Sequence, residues 1–94
     1  AFQPLPKDLA FVVDKNVPAA NIISAAKNAD RNFISDVRLF DLYEGENLPE
    51  GKKSIAITVV FQPTEQTFTD KDIENLMNKV IVEVSKKTGG ELRS

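Results

Sequence analysis

The stretch Arg38-Leu39-Phe40-Asp41-Leu42-Tyr43-Glu44-Gly45 decides how the rest of the chain is read. Its aromatic and aliphatic residues suit a β-strand, and successive strand side chains point to opposite faces. Phe40 and Leu42 therefore fall on one side, Asp41 and Tyr43 on the other. The first side reads as core. The second sets an anionic acceptor beside an amphipathic ring, which reads as a contact surface.

Downstream, Gly45 to Gly51 holds two glycines and Pro49 between strand-like runs, the chemistry of a long hairpin loop with Lys52 and Lys53 at its foot. Ser54 to Gln62 then alternates, with Ile55, Ile57, Val59 and Phe61 facing one way and Ala56, Thr58, Val60 and Gln62 the other. Upstream, Phe33 to Glu44 forms one long strand that Ser35 and Asp36 interrupt. The polar run Asn28 to Asn32 separates it from a helix over Pro18 to Asn28, whose apolar residues Ile22, Ile23, Ala26 and Ala29 recur at helical spacing. Leu9 to Val13 is a short strand with Leu9, Phe11 and Val13 on one face and Ala10 and Val12 on the other. Pro4 and Pro6 make residues 1–7 an extended lead-in.

Thr69 is placed to cap a second helix by accepting from the amide of Asp72, with Asp70, Asp72 and Glu74 at the positive end of the helix dipole. Ile73, Leu76, Met77, Val80, Ile81 and Val84 form its stripe, Lys86 and Lys87 lie in its last turn, and Gly89 ends it. Glu91-Leu92-Arg93 completes the chain as a short strand with Leu92 inward and Arg93 outward. This order predicts one α+β domain over residues 1–94, a ferredoxin-like βαββαβ sandwich. Its four-stranded antiparallel sheet carries both helices on one face.

Composition narrows the chemistry. The 94 residues suit one small domain, and 41% hydrophobic with 28% charged residues is globular composition. Cysteine and histidine are both absent, which removes disulfides, thiolate chemistry, the usual general base and most transition-metal sites. A net charge of -2 restricts any nucleic-acid contact to a local patch. The apolar runs are far shorter than the roughly 20 residues of a membrane span, and no secretion signal is apparent, so a soluble cytoplasmic protein is expected.

If Leu9, Phe11, Phe40, Leu42, Ile55, Ile57, Val59 and Leu92 meet the helices, the open face carries Ala10, Val12, Leu39, Asp41, Tyr43, Ala56, Thr58, Val60 and Arg93. Small and apolar residues around one aromatic, one acid and one arginine describe a platform on which an unpaired base can stack. Plainer roles compete for each residue. Tyr43 on a strand can be ordinary cross-strand packing, Asp41 a solvated acid, and Arg93 a surface charge. Asp70/Asp72 and Glu44/Glu46 read as helix-start and loop electrostatics rather than a metal site or a catalytic dyad. With no convergent base and nucleophile, an enzyme is poorly supported. A regulatory or protein-interaction domain of the same topology is the alternative.

Four segments carry a resemblance: Asp8-Leu9-Ala10-Phe11-Val12-Val13, Ile34 to Gly45, Leu48-Pro49-Glu50-Gly51-Lys52-Lys53-Ser54, and Gly90-Glu91-Leu92-Arg93. Together they resemble the ferredoxin-fold anticodon-binding domains at the C-terminus of bacterial phenylalanyl-tRNA synthetase beta subunits. The resemblance implies binding of the anticodon region of phenylalanine tRNA, with Tyr43 stacking on a base and Ala10, Asp41 and Arg93 around it. It also implies a segment without cofactor or catalysis of its own. ATP and magnesium, the rest of the beta subunit and a partner alpha subunit would belong to a heterotetrameric ligase. One departure stands out: relatives have a longer stretch before the first strand, so the junction Lys7-Asp8 marks either a shortened loop or omitted residues, with omission the favoured expectation.

Overall fold

The computed structural model of the chain describes residues 2–93. Its elements are β1 (Leu5–Asp14), α1 (Ala19–Ala29), β2 (Ile34–Tyr43), β3 (Lys52–Phe61), α2 (Asp70–Thr88) and β4 (Glu91–Leu92). The strands form one antiparallel sheet in the order β2-β3-β1-β4, which with two helices is the predicted ferredoxin-like α+β fold.

The central pair sets the two faces. β1 and β3 run in unbroken register from Leu5 opposite Phe61 to Asp14 opposite Lys52. With no residue inserted, their alternations stay in phase, and Leu9, Phe11, Val13, Ile55, Ile57, Val59 and Phe61 are all buried on the helix side. Ile22, Ala25 and Ala26 of α1 and Leu76, Val80 and Val84 of α2 close the core against them.

One expectation at the start of β1 needs correction. The predicted lead-in already belongs to the strand from Leu5, with Pro6 paired to Val60. β4 joins β1 only at Phe11 and Val12, so this end of β1 is a free edge, where a proline is tolerated. Lys7 and Asp8 pair with consecutive residues, Val59 and Thr58, within this strand.

β2 departs from simple alternation. Its register with β3 shifts between Ile34 and Asp36 and again between Leu39 and Asp41, so Ser35 and Phe40 are each an extra residue without a ladder partner. The Ser35 irregularity matches the predicted interruption; that at Phe40 does not follow from the pattern. Each insertion reverses the phase, and the residues sharing the core side with Phe61, Val59, Ile57 and Ile55 are Ile34, Val37, Leu39 and Leu42. Phe40 is therefore not a core residue but 57% exposed, and Leu39, expected on the open face, lies on the helix side. Leu42 and Leu92 take their predicted side yet remain 45% and 44% exposed. Length explains Leu42. α1, the helix against β2, has 11 residues and spans about 16 Å, whereas the ten residues of β2 span about 33 Å. The far end of the β2–β3 hairpin outruns its cover, and Val37 is the last buried residue of β2.

Helix ends are built locally. Thr69 Oγ1 accepts from the Asp72 amide at 3.1 Å and Asp72 Oδ2 accepts from the Thr69 amide at 2.9 Å, a reciprocal cap on α2. Gly89 closes the helix in the left-handed conformation, φ 74°, donating to the Ser85 carbonyl. α1 begins one residue later than predicted, with extended Pro18 as its N-cap.

The turn after α1 is tied to α2 by Asp30. One carboxylate oxygen accepts from the amides of Asn32 and Phe33, and the other from Lys79 Nζ at 3.0 Å. Burial pushes this carboxyl up, but the lysine and the two amides outweigh it and hold it below the ordinary 3.8.

These placements predict two outcomes. Phe11→Ala should lower the unfolding free energy by about 3–5 kcal/mol, whereas Phe40→Ala should stay within about 0.5 kcal/mol, both read by urea titration. The depressed folded value of Asp30 means that its stabilisation is complete above the unfolded value of 3.8 and disappears as pH falls through the lower folded value. Asp30→Asn should therefore be less stable than the parent at neutral pH, with the difference shrinking in urea titrations taken progressively below that value.

Candidate nucleic-acid interface

The side of the sheet away from the helices is assembled from ladder registers. Past the second irregularity of β2, Asp41 pairs with Ala56 and Tyr43 with Ser54. Ala56 pairs in turn with Ala10, Ser54 with Val12, and Val12 with Glu91. Arg93 follows β4, its amide donating to the Ala10 carbonyl at 2.8 Å. Two rows thus cross the open face: Asp41, Ala56, Ala10 and Arg93 in one; Tyr43, Ser54, Val12 and Glu91 in the other. All four candidate residues, Tyr43, Asp41, Ala10 and Arg93, share this face.

β2 and β4 are the outer strands, roughly 14 Å apart across three strand spacings. Even so, Arg93 Cζ lies 5.7 Å from the Tyr43 ring centroid, over the ring. The floor between them explains the reach. Ala10 and Ala56 carry only methyl groups, so two long side chains can lean inward from opposite edges and meet in a cation–π contact. Ser54 is 4% exposed on a face that no helix covers, so its cover comes from neighbouring side chains, Tyr43 and Val12 among them.

The surrounding charges are balanced in pairs. Lys52 Nζ meets Asp14 at 2.7 Å and Lys15 Nζ meets Glu44 at 3.8 Å, both at the Tyr43 end of the sheet. Lys52 thus stands at the loop foot, as expected, and pairs there with Asp14. Further along the face, the Thr58 hydroxyl donates to Asp8 at 2.8 Å and Arg38 donates to Asp36. The hydrogen bond from Arg38 holds the Asp36 carboxyl below its ordinary value. Such exposed ion pairs add little to stability, so their cations can exchange a carboxylate for a phosphate at little cost.

A separate cleft of about 640 Å³ opens near the other end of β2, lined by residues including Asp30, Phe33, Phe68, Asp72, Leu76 and Lys79. Its walls serve the fold: Phe33 and Phe68 stack edge-to-face at 5.4 Å, Asp30 and Lys79 are paired, and Asp72 caps α2. Among the described residues no cluster of acidic, histidine or cysteine side chains is suited to a metal ion. No helix among them is long and apolar enough to cross a membrane.

The open face of the four-stranded sheet thus carries one aromatic, one acid and one arginine around two alanines, with the arginine over the aromatic ring, and comparison with known proteins supplies the class. The chain belongs to the ferredoxin-fold anticodon binding domain family, which it matches over residues 1–93. It is 55% identical over 93 residues to the phenylalanine--tRNA ligase beta subunit of Paramagnetospirillum magneticum and 52% identical over 93 residues to that of Nitrobacter winogradskyi. The beta subunit of Brucella abortus is 48% identical over 92 residues. These alignments take in 98–99% of this chain but only 11–12% of each relative, so the chain spans about an eighth of their length.

Two residues of this face carry no role that the sequence pattern assigns. The pattern marks Gly45 only as loop and Ser54 only as the start of a strand. A glycine two positions after a strand-end aromatic is the signal that could have found the first; the burial of Ser54 depends on side chains from other strands and leaves no local trace.

Tyr43 is the only tyrosine and the chain has no tryptophan, so its fluorescence reports on this contact alone. Arg93→Ala should lower the unfolding free energy by about 0.5–1 kcal/mol and raise the acrylamide quenching of Tyr43 in the folded protein.

Proposed function

We propose that this chain is a non-catalytic tRNA-binding module of a phenylalanine-tRNA ligase beta subunit, whose open sheet face receives an unpaired base from the anticodon loop of phenylalanine tRNA. In this reading Tyr43 supplies the stacking surface, Ala10 and Ala56 leave room for the base, Asp41 accepts from its polar edge, and Arg93 meets phosphate. Convergence of these residues on one uncovered face, with the Arg93 guanidinium already over the ring, is the observation that supports it.

Magnitudes favour an exchange at the ring. An exposed cation–π contact contributes about 0.5–1 kcal/mol, whereas stacking a base on an aromatic side chain contributes about 1–3 kcal/mol. A base therefore displaces the guanidinium from the aromatic face and frees it for the adjoining phosphate. With a net charge of -2 the chain has no broad electrostatic pull on RNA, so affinity rests on this short-range set. ATP, magnesium, the remaining beta subunit and an alpha subunit belong, on this reading, to the cytoplasmic ligase of which the chain is a part.

The test is titration with an anticodon stem-loop of phenylalanine tRNA beside a loop with altered anticodon bases. Tighter binding of the first supports the proposal, and equal or undetectable binding of both counts against specific readout by this chain. Tyr43→Ala should cost about 1–3 kcal/mol of stem-loop affinity with its melting temperature unchanged. A loss that only follows unfolding would remove the stacking role.

A further inference from the structure

Gly45 lies just beyond the end of β2, and its backbone does not need glycine. Its φ is not positive, in contrast to Gly51 at 83° and Gly89 at 74°. Its carbonyl accepts from the Leu48 amide at 3.2 Å, a bond open to any residue type. Space is what sets it apart. A Cβ at position 45 would lie 2.5 Å from Tyr43 Cζ and 3.1 Å from Cε1, with the phenol oxygen closer still, and these are its three nearest atoms. Real Cβ contacts essentially never fall below 3.0 Å, so the ring and a side chain at position 45 cannot occupy these positions together.

We infer that Gly45 is a positioning residue of the base-stacking surface, an inference that rests on the reading of Tyr43 proposed above. The missing side chain lets the phenol end of Tyr43 lie against its own turn, in the orientation from which the ring meets Arg93 across Ala10 and Ala56. The atoms in the way belong to the far end of one half-exposed side chain and not to backbone. A residue larger than glycine therefore moves the ring and spares the fold, because rotating a surface tyrosine between rotamers costs far less than shifting a strand. Ring position, and with it the spacing among Tyr43, Asp41 and Arg93, is what position 45 controls.

Gly45→Ala in this chain tests the assignment through three measurements. Melting temperature should match that of the parent. Acrylamide quenching of the single tyrosine in the RNA-free protein should rise toward the level of Arg93→Ala. Affinity for the anticodon stem-loop should fall about tenfold, with no further loss when Gly45→Ala is added to Tyr43→Ala, since both changes act through one ring. Unchanged quenching overturns the inference, as does a melting temperature lowered enough to account for the lost affinity, or a Gly45→Ala loss that persists without Tyr43. Should the parent fail to bind the stem-loop, the platform reading falls by itself; quenching in the free protein still decides whether Gly45 positions the ring.

Discussion

The unbroken pairing of β1 with β3 is the constraint on which the rest of the molecule depends. Leu5 and Phe61 meet across 56 positions of sequence, and from there to Asp14 and Lys52 no residue is added on either strand. That regularity holds Phe11, Ile55, Ile57 and Val59 under the helices while presenting Ala10 opposite Ala56 on the other side. A slip of one residue in either strand would send that strand's apolar side chains to the open face. Core and candidate site are therefore two faces of one register, and neither changes without the other.

Features governed by neighbours along the chain are legible from sequence alone. The Thr69 cap, the stripe of α2 and the Gly89 terminus depend on residues within a few positions of one another, and the alternation of Ser54 to Gln62 carries its own phase. Phe40 is not legible for the opposite reason. Phe40-Asp41-Leu42-Tyr43 alternates by itself, and the extra residue appears only when β2 is set against β3. The polar pair Ser35-Asp36 advertises the other irregularity because it breaks an apolar run. Exposure of Leu42 is hidden too: pattern assigns a side chain to a face, but helix length decides whether that face is covered.

The candidate site divides along the same line. Ala10, Asp41, Tyr43 and Arg93 are assignable to one face because each lies in a segment whose phase near that point is regular. Their convergence is not, since it depends on strand order and on the small residues of β1 and β3 that lie between the two long side chains. The resulting surface is local in its physics. Its neighbouring lysines pair with Asp14 and Glu44, and the middle of the face is a ring beside a shallow floor of small side chains.

The two irregularities of β2 also bear on how this protein behaves in a crowded solution. β2 is an outer strand whose free edge, carrying Leu39, Phe40 and Leu42 exposed, would otherwise be a template for a strand from another molecule. Extra residues at Ser35 and Phe40 interrupt the even spacing of backbone donors and acceptors along that edge, which leaves regular runs of only four residues, Asp36 to Leu39, and three, Asp41 to Tyr43. Arg38 and Asp41 add charge within the same stretch. The distortion that exposes Phe40 thus also guards the sheet against edge-to-edge aggregation, leaving its apolar side chains accessible while denying a partner strand a continuous ladder.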